Sequence, residues 1–465
     1  MDSITFNYQN TCLIGDTELN TAFTQLLPEI DRIAAVHNNN YDTDYASVNL
    51  PFDEELLKTI CSTVKEKKAL QPTALVIIGI GGSNLGTMAV LEALRGKFYN
   101  EHHETKVYFV DTVDTDNVCD IAQLVEHELE TGNNIMINVV TKSGTTTETI
   151  ANFEIFLEIL KSHRPYNYHQ FVIATTDCNS ALWKLGEKEE FTLLTIPEQV
   201  GGRYSVFSAV GLFPLCFLGI DCKQLLAGAR SGFEIATSTT CSAKQIDQID
   251  KKNLSIRGPH TQSNEGWGYK NSAALSALII AHHYHYNRII HDTFIFSTAL
   301  KSLGAWYRQL SAESIGKALD KGSNHVNIGL LPTISIGSTD LHSIAQLYLA
   351  GPDNRFTTFI EIGHNETDLV LPQYDEYESL VQNIQGTSLT TIMNAILNGT
   401  KTTYQKENRP FVSFTLPEKS AFYIGQFMQI KMIEIMYIGF LFDVNPFDQP
   451  EVEKYKEEVR KLLKD

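Results

Sequence analysis

The sequence lacks the features that mark several large classes of protein. Its seven cysteines form no CxxC pair and are odd in number, which argues against a disulfide framework and is typical of a reducing, cytoplasmic compartment. Lys and Arg (37) are outnumbered by Asp and Glu (55), and the net charge of −18 disfavours nucleic acids and anionic membranes as partners. No apolar run is suited to crossing a membrane, and the N-terminus resembles no signal peptide.

What is present is the composition of an ordinary globular protein, with 43% hydrophobic and 20% charged residues. A length of 465 residues is long for one core, so we expect two domains. The predicted organisation is an N-terminal arm over 1–50 that packs on the larger domain, a smaller domain over 51–220, and a larger domain over 221–465 that ends in a helix.

Strand-like and helix-like segments alternate along both predicted domains. Alternation with continuously apolar strands favours an α/β fold, in which each domain is a doubly wound parallel sheet flanked by helices. The predicted strands are 74–80, 106–110, 135–140, 170–175 and 191–196, then 288–296, 328–336, 355–362 and 410–415. The main predicted helices are 19–36 with an interruption at Pro28, 298–319, 418–442 and 451–463, and Pro259–Gly268 is predicted to be an ordered surface crossing.

A glycine-rich turn follows the first predicted strand, within Val76–Gly86. A strand that runs through such a turn into a helix presents free backbone N–H groups and the positive end of a helix dipole, which suits an anion. Asn84 stands where a dinucleotide-binding turn has its third glycine, although Asp111 could meet a ribose. Ser83 favours a terminal phosphate instead, and a turn without any ligand is the third interpretation.

A second turn, Thr141–Thr149, follows the third predicted strand and contains several hydroxyls and Lys142. Thr145 and Glu148 have the spacing of a capping box, which any helix can use. A cap needs only one hydroxyl, however, and this turn has far more. Two such turns after neighbouring strands therefore predict a phosphate pocket.

Two charged residues lie on apolar helical stripes. Glu313 continues the stripe of the predicted helix 298–319, where desolvation would make its carboxylate a stronger base; the alternative is that it lies past the end of the stripe and is solvated. Lys456 lies on the stripe of the last helix, between Val452 and Val459, and a lysine that reaches solvent is the common alternative.

Two further residues are candidates for a cleft. His342 follows the capping cluster 338–340, which predicts a place in the first turn of a helix, where the dipole favours a neutral imidazole. Arg203 follows paired glycines and would be a fixed positive charge, unless it is a surface arginine after a simple turn. The histidines near 282–291 have no carboxylate partner at ligand spacing and do not indicate zinc.

Taken together, these motifs resemble the ordered motif set of the glucose-6-phosphate isomerase family, in its compact bacterial form. The resemblance covers roughly residues 50 to 460 and rests on Gly79–Ser83, Thr141–Thr149, Val200–Ser205, Glu313–Lys317, Thr339–Ser343 and Asn445–Lys456. It implies two sugar-isomerase domains with the active site between them, a sugar phosphate as substrate, and no cofactor or metal. It also implies a homodimer in which His342 acts in the site of the partner subunit.

The resemblance assigns roles to matching positions. Glu313 would be the base that moves a proton between C2 and C1, His342 and Lys456 would open the sugar ring, and Arg203 would stabilise an enediolate. The implied substrate-binding residues are Gly82, Ser83, Thr141, Lys142, Ser143, Thr146, Gln309 and Gln449. Glu451 departs from the glycine usual in the last motif, and the segment from Glu313 to His342 is longer than in compact relatives.

Two alternatives stay open on the sequence. An isomerase that also accepts mannose 6-phosphate would need the same catalytic residues, because discrimination at C2 depends on the shape of the pocket. A non-catalytic sugar-phosphate sensor built on the same domain would need the hydroxyl-rich turns but not Glu313, Arg203 and Lys456 together.

Overall fold

The structure is a computed structural model, and it describes residues 3–37, 40–239, 241–242 and 268–463. The predicted surface crossing at Pro259–Gly268 lies outside these ranges, apart from its last residue. No helix in the described ranges is long and apolar enough to span a membrane.

The first half of the chain builds one five-stranded sheet. Its elements are β1 (Thr5–Asn7), α1 (Asp16–Val36), α2 (Glu54–Lys68), β2 (Pro72–Ile78), α3 (Leu85–Arg95), α4 (Tyr99–His102), β3 (Lys106–Val110), α5 (Thr115–Glu130), β4 (Asn134–Val140), α6 (Thr147–His163), β5 (Val172–Thr176), α7 (Ala181–Lys188), β6 (Thr192–Thr195), α8 (Ala209–Phe217) and α9 (Cys222–Ala236). The strands β2 to β6 form the sheet and are parallel, in the order β3-β2-β4-β5-β6. Strand β1 belongs to the second large sheet.

The second half repeats this arrangement. Its elements are β7 (Cys241–Ser242), β8 (Gly268–Tyr269), α10 (Ser272–His285), β9 (Ile290–Ile295), α11 (Lys301–Ile315), β10 (Lys317–Leu319), β11 (His325–Ile328), β12 (Leu331–Ile336), α12 (Ala345–Ala350), β13 (Arg355–Ile362), α13 (Leu389–Lys406), β14 (Phe411–Leu416), α14 (Ala421–Leu441) and α15 (Glu451–Leu462). The second large sheet has the order β1-β14-β13-β9-β12, in which only β1 is antiparallel.

The two large sheets share a topology. If the parallel strands of each sheet are numbered along the chain, both sheets begin 2-1-3-4, the order of a doubly wound fold. The predicted fold class, parallel sheets flanked by helices, is confirmed. In this order the chain changes direction between its first and third strands, and the crevice at that switch point is where such folds bind ligands.

Three local predictions differ from the structure. Helix α1 runs through Pro28 without a break, because Leu26, Ile30 and Ile33 are fully buried and their packing outweighs the lost hydrogen bond. The predicted helix 298–319 ends at Ile315, after which the chain becomes the strand β10. Helix α13 was not predicted, since five of its 18 residues are threonines, which are weak helix formers.

The centre of the second half is α14, whose residues from Tyr423 to Gly439 are all buried. It packs against α9 with backbones in near contact, because glycines lie at the crossing. A Cβ atom added at Gly228 of α9 would lie 1.8 Å from the carbonyl oxygen of Phe422, and one at Gly425 would lie 2.0 Å from that of Leu225. This close approach leaves no room for a methyl group.

We therefore expect Gly228→Ala to destabilise the protein by about 1–3 kcal/mol, because overpacking forces the two helices apart. Gly399→Ala is the matched control, since Gly399 lies in the exposed part of α13 and its added Cβ would contact nothing within 4 Å. That change should leave stability unaltered or raise it by up to about 1 kcal/mol. Melting temperatures of the two variants measure the difference, and equal shifts would contradict the assigned packing.

Candidate active site

A cavity of about 780 Å³ opens at the carboxyl edge of the first sheet. It lies at the switch point between β2 and β4, because the turns that follow these two strands form its floor. All of the predicted site residues except His342 line it. These are Gly82, Ser83, Thr141, Lys142, Ser143, Thr146, Arg203, Gln309, Glu313, Gln449 and Lys456.

The turn after β2 is a 3-10 turn, Gly81–Ser83, that lies against the turn of Arg203. A Cβ atom at Gly82 would be 2.2 Å from the carbonyl carbon of Gly202, so only glycine allows the two backbones to meet. Gly81 has a φ of +59° and lies beneath the Gln309 amide. The glycines thus bring the first sheet and α11 together around the cavity.

The turn after β4 directs its hydroxyls toward one another and toward the cavity. The hydroxyls of Thr141 and Thr146 are 2.9 Å apart, and that of Ser143 accepts from the backbone N–H of Thr145 at 3.3 Å. Thr146 takes the N-cap position of α6 and makes no side-chain cap, so the structure does not match the alternative interpretation, a capping box of Thr145 and Glu148. The hydroxyls bond across the turn instead of closing the helix, which leaves them at the cavity.

Lys142 lies in the same turn, and its ammonium donates a hydrogen bond to the backbone carbonyl of Glu198. Burial lowers the pKa of Lys142, while the negative charges of Asp177 and Glu198 oppose this shift. A partly desolvated ammonium beside several hydroxyls is an arrangement that suits a phosphate group.

Arg203 is 2% exposed and lies in the 3-10 turn Gly202–Tyr204. Its three nitrogens all donate to the protein. Nε donates to Ser314 Oγ (2.7 Å), one terminal nitrogen donates to Gln449 Oε1 (2.6 Å) and Glu313 Oε2 (3.3 Å), and the other donates to the carbonyls of Pro446 (2.7 Å) and Asp448 (3.0 Å). The guanidinium is therefore rigidly held, as a buried charge requires.

Glu313 lies near the end of α11 and faces the cavity, not the packed core. Its side chain is 29% exposed. One carboxylate oxygen forms the ion pair with Arg203, and the other accepts a hydrogen bond from the Gln309 amide at 3.1 Å. The structure thus matches the alternative in which Glu313 lies past the apolar stripe. Its setting is an ion pair at a cavity wall, which keeps the carboxylate available to a ligand.

Lys456 forms part of the outer wall, on α15. No described residue of this helix is buried, so the predicted apolar stripe does not pack on the core. Val452 and Tyr455 face the cavity instead, beside Lys456, which pairs with Glu453 at 2.8 Å. Glu451, the departure from the family motif, is the first residue of α15, where a carboxylate stabilises the helix dipole.

His342 is the predicted residue that the cavity does not include. It ends a 3-10 turn, Thr339–Leu341, and the next helix, α12, begins only at Ala345. The prediction of a first-turn position is therefore wrong, because the capping cluster forms a tight turn: the Asp340 carboxylate accepts from the N–H of Ile336, behind the turn. Asp111, the candidate for a ribose contact, is also absent from the cavity lining.

Two groups of residues were missed by the sequence analysis. Ser314 and Tyr204 form a hydrogen bond of 3.0 Å behind the ion pair, and Ser314 also orients Arg203. Asp177, Asn179 and Ser180 line the cavity just after β5. Their position at the carboxyl end of the next strand was the available signal. The described residues contain no group of three His, Cys, Asp or Glu side chains arranged to hold a metal.

The chain is similar to known proteins over most of its length. The family model for phosphoglucose isomerase matches residues 20–241 and 268–465. A probable glucose-6-phosphate isomerase of Methanococcus maripaludis is 30% identical over 390 residues, 84% of this chain and 78% of that protein. The glucose-6-phosphate isomerase of Rubrobacter xylanophilus is 29% identical over 465 residues, 98% of this chain and 97% of that protein.

Solved structures show the same fold. A hypothetical protein from Thermus thermophilus superposes with a TM-score of 0.81 at 27% identity, over 99% of each chain. A glucose-6-phosphate isomerase from Chlamydia trachomatis superposes with a TM-score of 0.78 at 20% identity, over 100% of this chain and 89% of that one. On the extent of the family match, this chain belongs to the phosphoglucose isomerase family.

Proposed function

We propose that this protein interconverts D-glucose 6-phosphate and D-fructose 6-phosphate through a cis-enediolate, a step of glycolysis and gluconeogenesis. The observation that carries the proposal is the ion pair of Glu313 and Arg203 at the wall of a cavity whose floor is rich in hydroxyls. Family membership supports the same reaction. A sensor of sugar phosphates would need the floor alone, and no comparison favours that role.

The phosphate group binds on the two turns after β2 and β4. Backbone N–H groups near Ser83, the hydroxyls around Thr141 and the Lys142 ammonium supply donors on one side of the cavity. Glu313 lies on the other wall, on α11. A sugar phosphate anchored at its phosphate can therefore extend toward the carboxylate with C1 and C2 near the reacting groups.

Glu313 acts as the base on the open-chain sugar. It takes the proton from C2 and returns it to C1, while the hydroxyl proton passes from O2 to O1, so atoms and charge balance in both directions. The enediolate between these steps carries negative charge, and the Arg203 guanidinium stabilises it because the guanidinium is already fixed by Ser314 and the loop 446–448. No metal or cofactor enters this scheme.

Ring opening is assigned to Lys456 and His342. Lys456 is at the cavity, whereas His342 is not a lining residue of the same chain. We propose that His342 reaches the cavity of a second copy in a homodimer. Large apolar side chains are exposed on the single chain, among them Leu369 (71% exposed) and Leu380 (77% exposed), and a second copy that covers them would remove them from water. The cytoplasm is the proposed compartment, and it suits the six cysteines with described side chains, which are all free.

A coupled assay tests the proposed function. Purified protein is supplied with fructose 6-phosphate, and glucose 6-phosphate and mannose 6-phosphate are detected with separate coupling enzymes. We expect glucose 6-phosphate to form without added metal. Equal formation of mannose 6-phosphate would show the dual isomerase, and formation of neither product, with binding retained, would show a sensor.

Glu313→Gln should lower turnover about 10²- to 10⁴-fold, because it removes the proton acceptor at nearly constant shape. Binding of the sugar phosphate should change little, since the floor of the cavity is untouched. Steady-state kinetics and calorimetric titration measure the two quantities. Glu126→Gln, on the exposed face of α5, is the control and should behave as the unmodified protein. Turnover above about a tenth of the original, a smaller loss than that range, would show that Glu313 is not the base.

Complementation tests the place of His342. Glu313→Gln and His342→Ala should each be inactive as homodimers, but a mixed dimer that exchanges His342 has one site with both groups intact. Random mixing makes about half of the dimers mixed, and half of their sites whole, so roughly a quarter of the original activity should return. If mixed dimers form, as shown by mass spectrometry, and no activity returns, His342 serves its own chain.

A further inference from the structure

A buried lysine next to the site has no role in the proposed chemistry. Lys317 is the first residue of β10, directly after α11, and it is 8% exposed. It is not a lining residue of the cavity. Its ammonium donates to the Asp448 carboxylate (2.8 Å), to the backbone carbonyl of Asp448 (2.5 Å) and to that of Glu313 (3.1 Å). Burial lowers the pKa of Lys317, and the hydrogen bond to Asp448 acts against this shift.

The contact with Glu313 lies at the C-terminal end of α11. The last carbonyls of a helix lack partners within it, and a positive charge there is favourable. The N–H of Gly316 returns to the carbonyl of Ala312, which leaves the Glu313 carbonyl to the Lys317 side chain. The ammonium therefore fixes the turn of α11 that carries the proposed base.

The contact with Asp448 links a second part of the site. The carbonyl oxygen of Asp448 accepts from both Lys317 and Arg203, at 2.5 Å and 3.0 Å. The next residue is Gln449, whose amide oxygen also accepts from Arg203, and α15 with Lys456 follows shortly after. Two cations on one backbone oxygen thus hold the loop that connects α14 to α15 against the end of α11.

We propose that Lys317 is a positioning residue, which acts with Asp448 as a clamp that keeps the Glu313 carboxylate and the Gln449 amide on the Arg203 guanidinium. The inference rests on the proposed function, because it concerns the geometry of the same reaction. The clamp touches neither substrate nor reacting atoms. It matters because a base displaced by about 1 Å can lose a hundredfold in rate.

An ordinary buried ion pair is the alternative interpretation, and kinetics separate the two. A purely structural pair would lower stability when broken, but the folded protein would keep its turnover. A clamp on the base would lower kcat in the folded protein. KM would change little, because the proposed phosphate-binding turns after β2 and β4 lie across the cavity from Glu313.

The test uses Lys317→Met, which keeps the length of the side chain and removes its charge. We expect kcat to fall about 10- to 100-fold in the folded variant, with KM within about threefold of the original. Lys317→Arg should recover part of the loss, because it restores a cation at the same carbonyls. Lys58→Met is the matched control, since Lys58 is an exposed lysine of α2 that pairs with Glu55 on the surface. The kinetics of this variant should be unchanged.

Asp448→Asn provides a second, milder measurement if Lys317→Met does not fold. It removes the carboxylate charge but keeps the backbone carbonyl, so kcat should fall by less than in Lys317→Met, about three- to tenfold. A folded Lys317→Met, or failing that a folded Asp448→Asn, with unchanged kcat would overturn the clamp. If the unmodified protein isomerises while these variants match it, only the clamp fails; if the unmodified protein does not isomerise, the proposed function fails first.

Discussion

The cavity depends on one buried charge. A guanidinium out of water is costly unless all of its donors are satisfied, and Arg203 meets this requirement with partners from two other parts of the chain. Ser314 and Glu313 come from α11, the carbonyls of Pro446 and Asp448 come from the loop before α15, and the arginine itself follows the first sheet. Satisfying the charge therefore assembles the two halves of the molecule around the site. A substitution of any one of these partners should disturb the hydrogen bonds of the others, because all of them accept from the same guanidinium.

The shared topology of the two sheets shows that the fold by itself does not make a phosphate site. The second sheet has its own switch point, between β9 and β13, and a cavity of about 520 Å³ lies at its carboxyl edge. That cavity is lined by two carboxylates, two hydroxyls and a lysine, namely Glu366, Glu418, Thr367, Ser420 and Lys419. The first cavity differs in its glycine-rich turn after β2, in the cluster of hydroxyls around Lys142 and in the buried Arg203. The same backbone geometry thus carries a different set of side chains at each edge, and the residues of the turns decide which edge can receive an anion.

The sequence was most informative where a function depends on a local turn. The turns after β2 and β4, the alternation of strands and helices, and the family were all predictable, because backbone donors and hydroxyls need only neighbouring residues. The apolar stripes were less informative, since a stripe predicts burial only when its helix packs on the core. Helix α15 does not pack on the core, and two residues of its stripe, Val452 and Tyr455, face the cavity instead. The turn of His342 is local, but the capping residues 338–340 suit a tight turn as well as a helix start, so the pattern does not decide between them. The contacts of Lys317 with Asp448 depend on a partner far along the chain, and no local pattern encodes them. The roles of the site residues stay predictions until the kinetic tests are made.

The charges at the cavity explain how an acidic protein can take an anionic substrate. The net charge of −18 repels a phosphate at long range, but salt screens this repulsion beyond about 8–10 Å, so contacts inside the cavity decide binding. Arg203 is fully engaged with the protein and is not free to hold a phosphate as well. Lys142, by contrast, donates to the neutral carbonyl of Glu198, and a phosphate dianion is a stronger acceptor than a carbonyl. On the proposed function, therefore, Lys142 binds the phosphate and Arg203 faces the carbon atoms that react. This proposed division fits their places in the fold, since the lysine lies in a turn of the first sheet and the arginine is fixed from both halves of the chain.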